Sequence, residues 1–572
     1  MVAGFAVAVL PQQAGRVDLL SQPSLRIDGA TASDKAGASV AGAGDVNGDG
    51  LADLLIGAPE RAFGAGAAYV VFGRETPANV DLGALGRDAF RISGAAADDR
   101  SGGAVAGAGD VNGDGLADVL IGAELTDNNG RSDSGSAYVV FGQRSAVNID
   151  LANLGDGGFR IDGAAAGDDA GASVASAGDM NADGLADLLV GANGADPNGG
   201  ASGSAYVVFG RRASTNVDLA ALGTGGFRMD GVLSGDFAGS AVAAAGDMNT
   251  DGRPDVLVGA FGADNNGRSS SGSAYVVFGQ QVPANVELSA LGRGGFRVDG
   301  AAFGDSAGIS LAPAGDLNAD GRPDILIGAS RTGNNGRLLS GSAYVVFGQQ
   351  APTNVDLAVL GGSGFRVDGA AFGDFAGDSV ASGGDVNGDG LLDILVGASG
   401  AENNGRPGSG SIFAVLGRSP QTNVDLAAFP GAVRIDGATA EDRVGVLAGA
   451  GDVNGDGRPD ILVGAANADN NDLTDSGSAY VVFGFGAPEL SYPVVDATAG
   501  VPLSVLPTTL RRTGTPNFSV SPPLPAGLTV DGATGAVAGR PTETLPRTTF
   551  RVTMTDLAGS TSAPLSLQVT AP

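Results

Sequence analysis

A nine-residue unit, Asp-x-Asn-x-Asp-Gly-x-x-Asp, recurs seven times in this 572-residue chain. Its first residue is Asp45, Asp110, Asp179, Asp247, Asp316, Asp385 and Asp452, at intervals of 65, 69, 68, 69, 69 and 67 residues. A common frame surrounds the copies: Phe-Arg-x-Asp-Gly-Ala, then Ala-Gly-x-Ser-Val-Ala, the aspartate unit, Asp-x-Leu-x-Gly-Ala, and Gly-Ser-Ala-Tyr-Val-Val-Phe-Gly. Repetition at such a period marks a stacked architecture, in which one repeat cannot bury its apolar surface alone.

Each copy offers four short apolar runs. In the third they are Ser173–Ala177, Leu188–Gly191, Ser204–Phe209 and Phe227–Asp230. Runs of four to six residues, rich in Val, Leu, Ile, Phe and Tyr and bounded by Gly, Asp or Asn, read as strands. Four such strands per repeat form the blade of a β-propeller; the rungs of an open solenoid are shorter, about 20–30 residues. Ala205–Phe209 is apolar on both faces, as a strand covered by two neighbouring blades must be. The chain therefore reads as all-β: an N-terminal segment over 1–24, a seven-bladed propeller over 25–486 and a smaller β unit over 489–572. The last copy lacks a Phe-Arg-x-Asp-Gly segment, whereas an extra one, Leu25–Gly29, precedes the first. That segment is expected to close the ring as the outermost strand of the last blade, hiding its edge.

Composition removes whole classes of function. There is no histidine and no cysteine, which rules out Ser-His-Asp and Cys-His catalysis, His/Cys zinc sites and disulfides. A net charge of −31 argues against nucleic acid and anionic membranes, and no apolar run reaches membrane-spanning length. The apolar start, Met1–Leu10, reads either as the remnant of a signal peptide without its basic end or as a first strand.

Oxygen ligation is what remains for metal chemistry, and it suits hard cations. In each unit, side chains at positions 1, 3, 5 and 9 can converge on one ion, with the position-7 carbonyl as a further ligand and the position-6 glycine allowing the turn. The candidate ligands are Asp45, Asn47, Asp49 and Asp53; Asp110, Asn112, Asp114 and Asp118; Asp179, Asn181, Asp183 and Asp187; Asp247, Asn249, Asp251 and Asp255; Asp316, Asn318, Asp320 and Asp324; Asp385, Asn387, Asp389 and Asp393; and Asp452, Asn454, Asp456 and Asp460. A lone Asp-Gly or Asn-Gly turn would mean only a hairpin. Seven copies that keep these four positions, while those between them vary, point to calcium at about seven sites. Magnesium is disfavoured because it sheds water reluctantly.

The alternation of Ala-Gly-x-Ser-Val-Ala, Gly-Asp-Val-Asn-Gly-Asp-Gly-x-x-Asp-Leu-Leu-Ile-Gly-Ala and Gly-Ser-Ala-Tyr-Val-Val-Phe-Gly resembles the FG-GAP repeats of the integrin α-chain β-propeller and its bacterial relatives. The resemblance covers residues 25–484 and implies seven blades with calcium in the loops between first and second strands. Here every blade keeps the loop, more than integrins usually do. The family also includes propellers attached to phospholipase D-type and polysaccharide-lyase enzymes. After Gly486 the repeat stops. Leu524-Pro525-Ala526-Gly527-Leu528, Asp531, Thr534-Gly535 and Gly539-Arg540-Pro541, followed by a strand ending in Thr555-Asp556, resemble the Ig-like domain of bacterial surface proteins. That resemblance implies a small β-sandwich, usually a spacer or adhesive module.

The expected function is a monomeric, calcium-binding adhesion or recognition protein, secreted or at the cell surface, whose partner is a protein or a glycan. The alternatives are a carboxylate-dependent polysaccharide lyase or glycosidase, and a structural spacer. Strand parity places the aspartate loops on one face and the loops joining second to third strands on the other. Four of the latter carry Asn-Asn-Gly-Arg, ending in Arg131, Arg268, Arg337 and Arg406. These arginines are expected either to pair with an acid of a neighbouring blade, such as Asp168 or Asp305, or to form a ring of donors for a partner's carboxylates or sulfates.

Overall fold

The computed structural model describes residues 16–21, 25–280, 282–418, 421–428, 431–485, 489–511, 516–556 and 559–572. The apolar start at Met1–Leu10, read as signal remnant or first strand, lies outside them.

The repeats fold into seven sheets, one per copy, whose first four strands are antiparallel. In the third blade the strands are Ser173–Gly178, Asp187–Ala192, Ser204–Val208 and Gly226–Asp230, within a residue of the sequence expectation. The first strand is innermost. It is built of small residues, Ser-Val-Ala-Gly-Ala-Gly in the first blade, because neighbouring first strands run close together around the axis. A Cβ on Gly42 would sit 2.8 Å from the Gly449 carbonyl oxygen, and one on Gly107 would sit 2.6 Å from that of Gly42. Each first strand touches the next, and Val446–Gly451 touches Ser39–Gly44, so the ring is closed.

The core lies between blades. One cluster joins Leu55, Val70 and Phe90 of the first blade to Val119, Ile121 and Tyr138 of the second. Another joins Leu54, Ile56 and Tyr69 of the first to Leu462, Ala479 and Val481 of the last. Second and third strands are therefore buried along their whole length, for example Asp53–Ala58 and Ala67–Val71. This is why they read as continuous apolar runs and do not alternate.

Closure follows the expected route. Leu25–Asp28 pairs antiparallel with the last third strand, Leu25 opposite Val481 and Asp28 opposite Ser478. Two features differ from the sequence reading. Each sheet has five strands, the fifth being a short segment such as Val80-Asp81 or Val217-Asp218 that lies parallel to the fourth. It comes from the copy that follows, so the sequence places it one blade away from the sheet it joins. In the sixth blade the fifth position is taken by Arg16–Asp18. The propeller thus begins before residue 25, and the expected N-terminal segment of 1–24 is partly blade.

The C-terminal unit is a separate β structure. Val495–Thr498, Gly559–Thr570, Leu545–Asp556 and Asn517–Ser521 form one sheet, and Leu503–Val505, Val537–Gly539 and Leu528–Val530 form another. Phe518, Val537, Phe550, Val552, Leu565 and Leu567 fill its core. The Asp531 carboxylate accepts the Thr534 N–H and hydroxyl, both at 2.8 Å, which closes the turn that the Asp-x-x-Thr-Gly motif marked.

Candidate metal loops and the opposite face

Each aspartate loop is aimed by a bulge in the strand before it. In the first blade the register shifts between Gly42 and Gly44, and Gly44 has φ +77°, a left-handed conformation that favours glycine. Within the loop, position 4 is left-handed in every blade, even where it is Ala182, Thr250 or Ala319, and position 6 is glycine with φ between +85° and +91°. Seven loops thus share one backbone.

The side chains turn inward onto that backbone. In the first loop, Asp45 Oδ1 accepts the N–H groups of Gly48 and Asp49 at 2.7 and 3.1 Å, and its Oδ2 accepts that of Gly50 at 2.9 Å. Asn47 Oδ1 accepts the Asp49 N–H at 2.8 Å, and Asn47 Nδ2 donates to Asp49 Oδ2 at 2.9 Å. The second, third, fourth, fifth and seventh loops repeat the bond from the position-5 N–H to the position-1 carboxylate, from Asp114, Asp183, Asp251, Asp320 and Asp456. In the sixth, the Gly390 N–H reaches Asp385 Oδ2 at 2.8 Å.

The ninth position carries a task the sequence did not disclose. Asp53, Asp118, Asp187, Asp255, Asp324, Asp393 and Asp460 are fully buried. Asp53 Oδ2 accepts the Val46 N–H and Oδ1 accepts the Gly73 N–H, both at 2.8 Å. The carboxylate therefore ties the loop to the Phe-Gly end of the third strand. Burial pushes it up to about 7, against the pull of those two N–H groups, and the charges of Asp49 and Asp45 add to the rise. Asp118, Asp255 and Asp324 are pushed to about 7 and Asp187 to about 6, with burial again the main cause.

These residues suit a hard cation by donor chemistry: carboxylate and amide oxygens on a turn of fixed shape, with mutual repulsion that a dication would relieve. Among the described residues no three acidic side chains converge closely enough to hold a metal ion. Positions 1, 3, 5 and 9 would hold it once their oxygens turn from the loop N–H groups.

The four arginines are engaged. Arg131 pairs with Asp218 at 2.8 Å, Arg268 with Asp356 at 2.7 Å, Arg337 with Asp425 at 2.6 Å and Arg406 with Asp18 at 2.9 Å. The acids are those of the unforeseen fifth strands, not Asp168 or Asp305, which feel Arg131 and Arg268 only as nearby charges. The second asparagine of each motif, as in Asn266, bridges the ends of the fourth and fifth strands by donating to Asp299 and Asp356. Sequence reasoning also passed over the Asn-Val-Asp-Leu segments that supply those strands. Asn79, Asn148, Asn216, Asn285, Asn354 and Asn423 each accept the N–H of a fourth-strand arginine in the preceding sheet. The recurrence of those segments at intervals of 68 or 69 residues was the available signal.

On the same face as the arginines, loops leave large apolar side chains in solvent: Phe63 (93% exposed), Phe303 (78%), Phe372 (71%), Leu338 (65%) and Leu233 (56%). All lie on connections from second to third strands or from blade to blade.

Comparison with known proteins agrees with this architecture. The FG-GAP repeat family matches residues 36–71, 101–140, 170–208, 307–345, 376–413 and 444–482, and the Putative Ig domain family matches residues 487–570. The fourth blade falls between the matched repeats yet has the same five-stranded sheet. The chain is similar to integrin alpha pat-2 of Caenorhabditis elegans, 36% identical over 21% of this chain and 10% of that protein. It is similar to human integrin alpha-7, 35% identical over 28% of this chain and 12% of that protein. It is also similar to phosphatidylinositol-glycan-specific phospholipase D of Rattus norvegicus, 34% identical over 19% of this chain and 13% of that protein. The chain thus matches only about a tenth to an eighth of the length of these relatives. Repeat, sheet topology and family match together make it an integrin α-like FG-GAP β-propeller protein with a C-terminal Ig-like domain.

Proposed function

We propose that this is an extracellular or cell-surface recognition protein, loaded with calcium in its seven aspartate loops, that binds a protein partner through the face opposite those loops. The observation that carries the reading is that the exposed phenylalanines among the described residues, Phe63, Phe303 and Phe372, all lie in the loops of that face. Exposed aromatic side chains gathered on one face mark a surface that is covered in use. Similarity to integrin α-chains supports the same reading. Calcium would hold the metal face rigid, and the four arginine–aspartate pairs hold the loops of the partner face in place. The chain acts without catalysis in this reading. It has no histidine or cysteine, and the patterned carboxylates are engaged in turns, strand ends and ion pairs.

An array of extracellular-matrix proteins, probed with the full chain in calcium, tests this. A partner should bind, and the triple variant Phe63→Ser, Phe303→Ser, Phe372→Ser should lose it by about tenfold or more with an unchanged melting curve. Undiminished binding by the triple variant would move the site elsewhere.

A further inference from the structure

The residue after the Phe-Gly or Leu-Gly pair that ends each third strand offers an internal comparison. In the first blade Arg74 pairs with Asp88 at 3.0 Å. In the second, Gln143 Nε2 donates to the Val147 carbonyl at 2.8 Å. In the third, the Arg211 guanidinium lies 5.3 Å from the centre of the Phe159 ring. In the fourth, Gln280 closes its loop twice, donating to the Ala284 carbonyl at 3.2 Å and accepting the Ala284 N–H at 2.9 Å. In the sixth, Arg418 donates to the Thr422 carbonyl, and in the seventh Phe485 is buried. Gln349 of the fifth blade differs: it makes no hydrogen bond with any described residue, although its loop has nearly the sequence of the fourth.

Gln349 instead lines a groove of about 610 Å³ with Thr353, Asn354, Ser363, Asp320 and Val359. Asn354 Oδ1 accepts the Arg297 N–H at 2.9 Å, which fixes the amide and leaves its Nδ2 as a free donor. Val359 is 77% exposed and offers an apolar wall. The volume is that of a small-ligand site.

We propose that this groove, on the face of the aspartate loops, binds a neutral saccharide. The Gln349 amide donates and accepts and Asn354 Nδ2 donates, matching sugar hydroxyls that do both, and the Thr353 and Ser363 hydroxyls extend the pattern. Val359 suits the C–H face of a sugar ring. Asp320 and Asp356 line the groove and no arginine or lysine does, and the chain stays at −17 even with seven dications bound, which disfavours acidic sugars. This site is separate from the protein-binding face and does not depend on it.

The test is an array of neutral oligosaccharides (glucans, mannans, galactans and N-acetylglucosamine oligomers) probed with the full chain in calcium. At least one should bind. Gln349→Ala should weaken it by about tenfold, the cost of a lost hydrogen-bonding partner. Because Gln349 holds nothing else, its melting curve should not move. Gln280→Ala, the equivalent substitution where the amide is spent on its own loop, should bind normally. Failure of every neutral sugar to bind, or equal binding by Gln349→Ala, overturns the proposal. The triple phenylalanine variant separates the two readings, since it should lose the protein partner and keep the sugar.

Discussion

Arg406 and Asp18 meet at 2.9 Å across 388 residues of chain. One ends the Asn-Asn-Gly-Arg turn of the sixth blade, and the other ends the short strand that enters the same sheet from the N-terminal side. Both side chains are mostly buried, with 14% and 22% of their surface exposed. The same geometry recurs at Arg131–Asp218, Arg268–Asp356 and Arg337–Asp425. The motif is therefore a latch on the fifth strand.

Breaking that latch should destabilise the chain. A double-mutant cycle of Arg406→Ala and Asp18→Ala, followed by urea unfolding, should give a coupling of about 1–2 kcal/mol, above the surface ion-pair range because the pair is partly buried and hydrogen-bonded. A coupling near zero would mean that the pair contributes nothing to closure.

Removing residues 1–30 should open the ring. The deletion takes away Leu25–Asp28 and Arg16–Asp18, leaving Ser478–Val482 as an unpaired apolar edge. Such an edge recruits strands from other chains. Size-exclusion chromatography should show oligomers or aggregate; a stable, cooperatively unfolding monomer would contradict the closure.

Chelation should lower the melting temperature markedly, because an ion that binds only the folded chain stabilises it by mass action. Seven dications would bring the formal charge from −31 to −17. Calorimetric titration of the chelated protein should approach seven equivalents of calcium. An identical melting curve in calcium and in chelator would leave the loops as hydrogen-bonded turns.

Stability at fixed calcium should fall as pH rises through the acid range, in part because of Asp305. Burial pushes its carboxyl up to about 6, although the Ala302 N–H and the charges of Arg268 and Arg366 pull it down. A carboxyl raised on folding binds its proton more tightly in the native state. Its contribution is most favourable below the unfolded value of 3.8 and is lost as pH climbs through about 6. Asp305→Asn keeps an acceptor for the Ala302 N–H and should flatten the slope of unfolding free energy between about pH 4 and pH 6. A slope that does not change, or steepens, would show that Asp305 is not the group responsible. Asp169 and Asp378, also raised to about 6 chiefly by burial, should leave a residual slope of the same sign.

Much of this molecule was legible in its sequence because the repeat is a local code read seven times over. Strands such as Ser204–Val208 are continuous apolar runs, the aspartate turn fixes its own backbone through side chain to N–H bonds two to five residues apart, and the unpaired Leu25–Gly29 copy announced how the ring closes. Those features depend on neighbours in sequence or on counting. The fifth strands, the partners of the four arginines, the double anchoring of Asp53 and the free amide of Gln349 were not legible. Each depends on which segment the ring brings alongside another. Asp218 reaches Arg131 from 87 residues away, through a strand whose sequence belongs to the next copy. Gln349 and Gln280 occupy the same place in nearly the same loop, and only the packed structure shows that one closes on Ala284 while the other faces a groove. Periodicity records what each repeat does for itself; the pairing between repeats is decided by close packing around a common axis, where a side chain's neighbour in space is a stranger in sequence.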